Sequence, residues 1–430
     1  MKALKRTVIV LVCLVGLWAI LLALRKPWIE PIPGVRLEPT RPILLEKDIK
    51  PGSAFDLLRR AGVAYKVYGQ DVMQAQAELK LAPWSLDGAT NTLTVLEKAE
   101  TSLALARSAG EASDPQVPTI TSFDQEMPFV GTTRAISRCF IVSAKAKTAR
   151  GDYSGAFAEL RSTIGFSSIL TRGGMSVEHD SSTYCCNSSC KTMRQIALNY
   201  PVQDDLLRDM MRFLEHTENG LEPWAECVRH ERICLRSRID EFFKNPPSLP
   251  IRIVVLLLGS TPNVVKKDMN AYYAHIISMA EKPYDEAAYD RFHELLMPSS
   301  PSARREMSIL LKSRDPVGRS FAFSMGSGQY AHSRYVFRIA DLRATRIVLA
   351  VVMFKRDEGR LPQTLDELVP KYLPSVPEDP FDRKPMKYRL DEDGSWVVYS
   401  VGSDGKDDGG IQDQDKWGHP DLIFGPKEGV

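Results

Sequence analysis

The sequence predicts a mainly α-helical protein that ends in a small α+β module. Three observations support this fold class. Between residues 53 and 330, apolar residues recur at three- and four-residue steps, which is typical of amphipathic helices. After residue 385, short runs rich in β-branched and aromatic residues indicate strands. Near the N-terminus, an uncharged apolar run predicts a transmembrane helix.

The run TVIVLVCLVGLWAILLAL, residues 7–24, predicts a membrane anchor. At 1.5 Å per residue its helix spans about 27 Å, close to the hydrocarbon thickness of a bilayer. The following LLALRKP has no small-x-small cleavage site, so we expect an uncleaved anchor. Lys2, Lys5 and Arg6 precede the run, and the positive-inside rule then makes residues 1–6 a cytoplasmic tail. We therefore expect a single-pass protein of the inner (cytoplasmic) membrane, with most of the chain extracytoplasmic.

The rest of the chain divides by composition into three segments. Residues 25–52 contain six prolines, which predicts an extended linker between the membrane and the folded part. Residues 53–330 are predicted to form an α-helical domain of packed hairpins. The clearest hairpin turns at GDY, residues 151–153, between two periodic segments with alanine at contact positions. Residues 331–430 are predicted to form the α+β domain.

Charge and motifs limit the function classes. The formal net charge is +2 over 430 residues, which argues against a nucleic-acid-binding protein. His230-Glu231 and His293-Glu294 each begin an H-E-x-x-H motif, but the second histidine is missing from both. The chain also lacks a P-loop and a dinucleotide-binding fingerprint. We therefore do not expect an enzyme, although a hydrolase with an unrecognised site in the helical domain is a second alternative.

Five cysteines fall in two groups within the helical domain. Cys185, Cys186 and Cys190 lie in STYCCNSSCK, and Cys227 and Cys234 lie on one face of a predicted helix. In an oxidising compartment these thiols can form disulfides. The alternative is that they are free and partly buried, and the sequence leaves both interpretations open.

The C-terminal segment begins with the strongest helical period of the chain. Apolar residues between Val336 and Phe354 form one stripe, and Gly359 and Pro362 are expected to end that helix. Thr364 to Glu367 fits a capping box, which predicts a short helix over LDELV.

Three strands are predicted after this helix. Residues 386–390 and 395–401 are expected to pair as a hairpin across the turn at Asp391 to Gly394. DLIF, residues 421–424, is the third candidate strand. The C-terminal module is therefore predicted to be a long helix packed on a small antiparallel β-meander.

The string from KRDEGRLP to SVGSDGKDDGG resembles the globular domain of the major pseudopilin of type II secretion systems. The resemblance covers about residues 331–424, and several separated motifs occur in the family's order. The matching positions are Asp357, Gly359, Pro362, Asp379-Pro380-Phe381, Pro385, Ser400, Gly402, Asp404-Gly405 and Gly409-Gly410. The N-terminus departs from the family because it lacks a prepilin-peptidase site, and about three hundred residues separate the anchor from the module. Assembly into a pseudopilus is therefore not expected.

The resemblance implies a calcium site in the loop that follows the hairpin. Asp404 and Asp421 match the positions of family ligands, and Asp407, Asp408, Asp413 and Asp415 are further candidates in a loop longer than the family's. The composition is compatible with such a site, because Ca²⁺ takes six to eight oxygen ligands and glycines let carbonyl groups turn inward. The alternative is a solvated acidic turn.

These observations favour a membrane-anchored extracytoplasmic structural or interaction protein with a calcium-stabilised, pseudopilin-like module. Its partners would be the membrane, through the N-terminal helix, and a protein of the cell envelope, but not nucleic acid. The first alternative is an accessory component of a type II secretion or pilus-like machine.

Overall fold

The computed structural model describes residues 29–112, 114–121, 128–245, 255, 260–296, 328–411 and 421–426. The predicted cytoplasmic tail (1–6) and membrane anchor (7–24) lie outside these residues. Within the described ranges, no helix combines the length and the apolar character needed to cross a bilayer.

The described residues are mainly helical, as predicted. In chain order the α-helices are α1 Ala54–Ala64, α2 Gly69–Glu78, α3 Thr90–Glu111, α4 Pro128–Ala149, α5 Tyr153–Ile169, α6 Ser176–Asn199, α7 Asp204–Asn219, α8 Trp224–Lys244, α9 Pro262–Ala280, α10 Glu286–Leu296 and α11 Gln329–Glu358. Short 3₁₀ helices cover Glu46–Asp48 and Leu365–Leu368. The prediction of a helical region before the C-terminal module is confirmed.

The predicted hairpin is formed by α4 and α5. Gly151 has a positive φ of 79°, and the Asp152 side chain caps α5 by accepting a hydrogen bond from the Gly155 backbone N–H at 2.8 Å. Helix α5 also packs against α3 where two glycines meet. A Cβ on Gly165 would lie 3.1 Å from the Gly110 carbonyl oxygen, so the backbones come closer than alanine would allow without a shift.

Helix α11 is the longest helix in the described part of the chain, and it ends as predicted. Gly359 adopts the left-handed conformation (φ 69°), and its N–H donates to the Lys355 carbonyl at 3.1 Å. The helix contacts α6, α7 and the β-sheet. Most of its residues from Ala340 to Phe354 are buried. The C-terminal module and the preceding helices therefore share one apolar core.

The predicted capping box after α11 is wrong. Residues 365–368 form a 3₁₀ turn, and the Thr364 side chain makes no capping hydrogen bond. The Glu367 carboxylate does face the start of this turn: one oxygen accepts from the Gln363 backbone N–H and the other pairs with Arg360, each at 2.5 Å, and the Thr364 backbone also lowers its pKa. The half of the box that is missing is the hydrogen bond to the Thr364 side chain.

The predicted β-meander is confirmed. Strands β1 Lys387–Leu390, β2 Trp396–Ser400 and β3 Leu422–Phe424 form an antiparallel sheet in the order β1-β2-β3. At one end of β2, Trp396 faces Leu390, and at the other end Ser400 faces Leu422. Every residue of β2 is buried, as expected for a central strand that packs on a helix.

A buried ion pair joins α6 to α11. Arg194 and Asp341 are each 1% exposed, and their side chains form a salt bridge. The Arg194 guanidinium also donates to the Thr345 hydroxyl, and the Asn187 amide can donate to the second Asp341 oxygen at 3.0 Å. Arg338, one helical turn before Asp341, donates to hydroxyl groups on α5 and α6.

We predict that Asp341→Asn destabilises the protein by roughly 3 kcal/mol, because the substitution removes the negative charge of a buried salt bridge with Arg194. Urea denaturation of the purified full chain measures the free energy of unfolding. The matched control is Arg212→Gln, which removes an exposed ion pair with Asp209 and should change stability by less than about 0.5 kcal/mol. Equal effects of the two substitutions would show that the buried pair contributes no more to the free energy of unfolding than an exposed pair does.

Candidate functional site

The predicted calcium loop begins at the end of β2. Asp379 fixes the first residues of this loop through hydrogen bonds. Asp379 is fully buried, and both of its carboxylate oxygens are used. One oxygen accepts from the Ser400 hydroxyl (2.8 Å) and the Phe381 N–H (3.0 Å), and the other accepts from the Val401 N–H (2.9 Å). Burial raises the pKa of Asp379, and these hydrogen bonds oppose the increase. Asp379 thus fixes the direction in which the chain leaves the sheet.

Asp404 and Asp407 each accept a hydrogen bond within a tight turn of the loop. Asp404 accepts from the Lys406 backbone N–H at 3.0 Å and lies 3.7 Å from the ammonium of the same lysine. Asp407 accepts from the Gly409 N–H at 3.0 Å and from the Tyr399 hydroxyl at 3.2 Å. The negative charge of Asp404 is therefore already partly offset by the backbone N–H and the ammonium of Lys406.

Asp421, immediately before β3, is a buried carboxylate at the end of this loop. It is 3% exposed, and Oδ2 accepts from the Gly410 N–H at 2.7 Å. Oδ1 is also buried but has no hydrogen-bond partner within the described residues. Burial raises the pKa of Asp421, the hydrogen bond from Gly410 and the nearby Asp408 backbone lower it, and the charges of Asp407 and Asp408 raise it.

Gly410 lets this closure occur. It has a φ of 66°, and a Cβ at this position would lie 2.8 Å from the Tyr399 ring. Only glycine both adopts this conformation readily and leaves room for the ring. The backbone can therefore bring the Gly410 N–H to Asp421.

The structure thus brings together only part of the predicted metal set. Asp408 lies close enough to Asp421 to influence its pKa, whereas Asp404 is bonded within its own turn. Asp413 and Asp415 lie outside the described residues. Among the residues that are described, no group of three or more His, Cys, Asp or Glu side chains has the arrangement of a metal site. The donors that are present, namely carboxylate oxygens and one unsatisfied Oδ1, nevertheless suit a hard cation such as Ca²⁺.

The predicted disulfide cysteines are free thiols in this structure. Cys185, Cys186, Cys190, Cys227 and Cys234 are all fully buried. The last two are seven residues apart on α8, a rise of about 10.5 Å, which exceeds the Cα separation that a disulfide can bridge. The Cys234 thiol instead donates to the Ile120 carbonyl at 2.7 Å. The alternative of free, buried thiols is the one that matches the structure.

Sequence reasoning missed a cluster of three glutamates around the connection between α5 and α6. Each carboxylate accepts a backbone N–H from this connection, and the glutamates come from α6, α8 and the segment before α8. The pairs are Glu222 with Gly173 (3.2 Å), Glu178 with Met175 (2.9 Å) and Glu231 with Ser176 (3.0 Å). A glycine pair at 173–174 is the only local sequence signal, because two of the glutamates are distant in sequence.

All three carboxyl groups have raised pKa values, because burial disfavours their charged form. Burial raises the pKa of Glu178 to about 7, and the charge of Glu231 adds to this effect. Burial likewise raises the pKa values of Glu222 and Glu231. The connection is thus held by carboxyl groups with raised pKa values, and Glu178, with a pKa of about 7, makes the stability of this region sensitive to pH near neutrality.

Comparison with known proteins adds no relative. No protein-family model, no curated protein and no solved structure shows a significant match to this chain.

We predict that Glu178→Gln removes a stability loss that the wild type suffers between pH 5 and 8. The folded-state pKa, about 7, lies above the ordinary value of 4.5. The contribution of Glu178 is therefore complete below about pH 4.5 and is lost as the pH rises through about 7. Glutamine keeps the acceptor for Met175 but carries no charge. Relative to the wild type, the variant should gain roughly 2 kcal/mol between pH 5 and pH 8 in urea denaturation.

Glu97→Gln is the control, because Glu97 lies exposed on α3. Its pH profile of stability should run parallel to that of the wild type. A parallel profile for Glu178→Gln as well would contradict the prediction.

Proposed function

We propose that this chain is a membrane-anchored extracytoplasmic structural or interaction protein whose C-terminal module is stabilised by calcium. The observation that carries the calcium part is the buried Oδ1 of Asp421, which has no hydrogen-bond partner in the described part of the chain. A buried carboxylate oxygen left without a partner costs free energy unless a proton or a cation satisfies it. Two further carboxylates, Asp407 and Asp408, lie close enough to raise its pKa.

Asp421 and Asp408 are the residues proposed to hold the ion, with Asp407 as a further donor. Asp404 is proposed as a ligand only on the pseudopilin resemblance, and in this structure it lies 3.7 Å from the Lys406 ammonium. A bound divalent cation would offset the repulsion among the carboxylates. It would also tie the loop after β2 to the start of β3, and so close the meander.

The burial of α11 supports a structural role over a role in a secretion machine. In this chain α11 contacts α6 and α7 as well as the sheet, and it shares a core with them. A helix engaged in this way has little surface left for packing beside equivalent helices in a filament. The module is therefore proposed to serve as a fixed end of the helical domain, and the secretion-component alternative rests on the resemblance alone.

We predict that 2 mM Ca²⁺ stabilises the purified chain by roughly 1 kcal/mol, as expected for a site with the weak affinity of extracellular calcium modules. Thermal unfolding with and without calcium, after treatment with a chelator, measures the shift. Asp421→Asn should abolish it, because the amide supplies neither the charge nor the second oxygen.

Asp366→Asn is the control, since Asp366 is an exposed aspartate of the same module. This variant should respond to calcium as the wild type does. Absence of a shift in the wild type, or an equal shift in Asp421→Asn, would overturn the calcium proposal.

The anchoring proposal has a separate test. We predict that the full chain stays with the membrane pellet after an alkaline carbonate wash, whereas a chain that begins at residue 29 is released. Protease added to spheroplasts should degrade the region from residue 29 onward, because that region is proposed to lie outside the cytoplasm. Release of the full chain by the wash, or complete protection from protease, would contradict the anchor or its orientation respectively.

A further inference from the structure

A cleft of about 630 Å³ lies where α6, α11 and the β-sheet meet. This volume is within the range of sites for small organic ligands. The C-terminal end of α6, the last turns of α11 and the residues after α2 form its walls. Trp396, at the start of β2, and Gly425 and Pro426, after β3, complete it. The cleft is therefore at the opposite end of β2 from Asp421, because the register places Ser400 beside Leu422.

The charge of the lining is one-sided. The described residues that line the cleft include five cations, Lys80, Lys191, Arg194, Lys355 and Arg356, and no Asp or Glu. The two arginines have partners outside the lining: Arg194 pairs with Asp341, and Arg356 pairs with Asp204 and caps backbone carbonyls. Within the described residues the three lysines form no salt bridge. The cleft therefore has a surplus of positive charge that the protein itself does not neutralise.

A further lysine, Lys145, lies close enough to these cations for their charges to repel one another. The Lys145 ammonium donates to the Leu79 carbonyl at 2.8 Å and lies over the Trp84 ring. Burial lowers its pKa to about 8, and the charge of Lys191 lowers it further. Repulsion between like charges held this close destabilises the folded state. An anion bound in the cleft would reduce this repulsion and so stabilise the fold.

The walls between the cations carry apolar side chains beside the polar Gln195, Asn199 and Tyr200. Trp396 is 5% exposed, and Val351 and Val352 of α11 are buried. Gly425 has a φ of 111°, and a Cβ there would approach the Trp396 ring to 3.3 Å. The glycine thus lets the backbone after β3 lie against the indole. A ligand that fits this cleft would combine negative charge with an apolar or aromatic part.

We propose that this cleft binds a small organic anion that carries two negative charges beside an apolar or aromatic group. A phosphate ester and an aromatic dicarboxylate share this chemistry. Lys191 and Lys355 neutralise the charge, and Trp396 and the valines of α11 contact the carbon skeleton. This proposal does not depend on the calcium site.

The test uses isothermal titration of the purified full chain with three probes at low ionic strength: phenyl phosphate, phthalate and inorganic phosphate. We expect phenyl phosphate or phthalate to bind, and the aromatic probe to bind at least about tenfold more tightly than inorganic phosphate. Binding of phenyl phosphate alone identifies a phosphate ester as the ligand class, and binding of phthalate alone identifies a carboxylate. Failure of both aromatic probes at millimolar concentration, or binding no tighter than that of inorganic phosphate, overturns the proposal.

The location is tested with Lys191→Gln/Lys355→Gln, which should weaken binding by at least about tenfold, since it removes two charge-assisted contacts. The matched control is Lys66→Gln/Lys267→Gln, two exposed lysines that do not line the cleft. It should change the affinity by less than about twofold. An equal loss in both double variants would mean that net charge, not the cleft, governs binding, and would also overturn the proposal.

Discussion

The buried ion pair between Arg194 and Asp341 is the constraint on which the C-terminal half of the structure depends. Apart from Arg338 and Thr345, the buried residues of α11 around it are apolar, and such non-directional contacts tolerate sliding along the helix axis. A buried charge does not, because any shift of one turn would leave a guanidinium or a carboxylate without its partner. Thr345 and Asn187 satisfy further polar atoms of the pair. We infer that this network sets the axial register of α11.

The register of α11 in turn places both candidate sites. The sheet packs on α11, so the two ends of β2 have fixed positions relative to α6. Arg194 itself extends from this network toward the sheet, where its guanidinium lies 5.2 Å from the centroid of the Phe424 ring. One end of β2 leads to the acidic loop and Asp421, and the other brings Trp396 to the cationic cleft. Two sites of opposite charge are thus held apart by the length of one short strand.

The local sequence pattern was sufficient to predict the helices and strands. It was not sufficient to predict the polar contacts between them. Helical periodicity, the glycine at residue 359 and the turn at 391–394 correctly predicted α11 and the meander. The capping box failed because the Thr364 side chain makes no capping hydrogen bond. Arg194 and Asp341 are 147 residues apart, and Glu178 and Glu231 meet only because α6 and α8 pack together. A single sequence carries no local signal for such pairs, and the cleft lysines come from three separate segments.

The difference between Asp379 and Asp421 supports the proposal that the acidic loop binds a cation rather than only tethering backbone. Both are buried aspartates of one small module, and burial raises the pKa of each. Asp379 has donors for both oxygens, as a carboxylate that only tethers backbone should. Asp421 has a donor for one oxygen and two carboxylates nearby. Tethering Gly410 needs a single acceptor, which asparagine would supply without charge. A proton alone would satisfy the buried Oδ1, whereas the divalent cation proposed above would also offset the repulsion from the adjacent carboxylates.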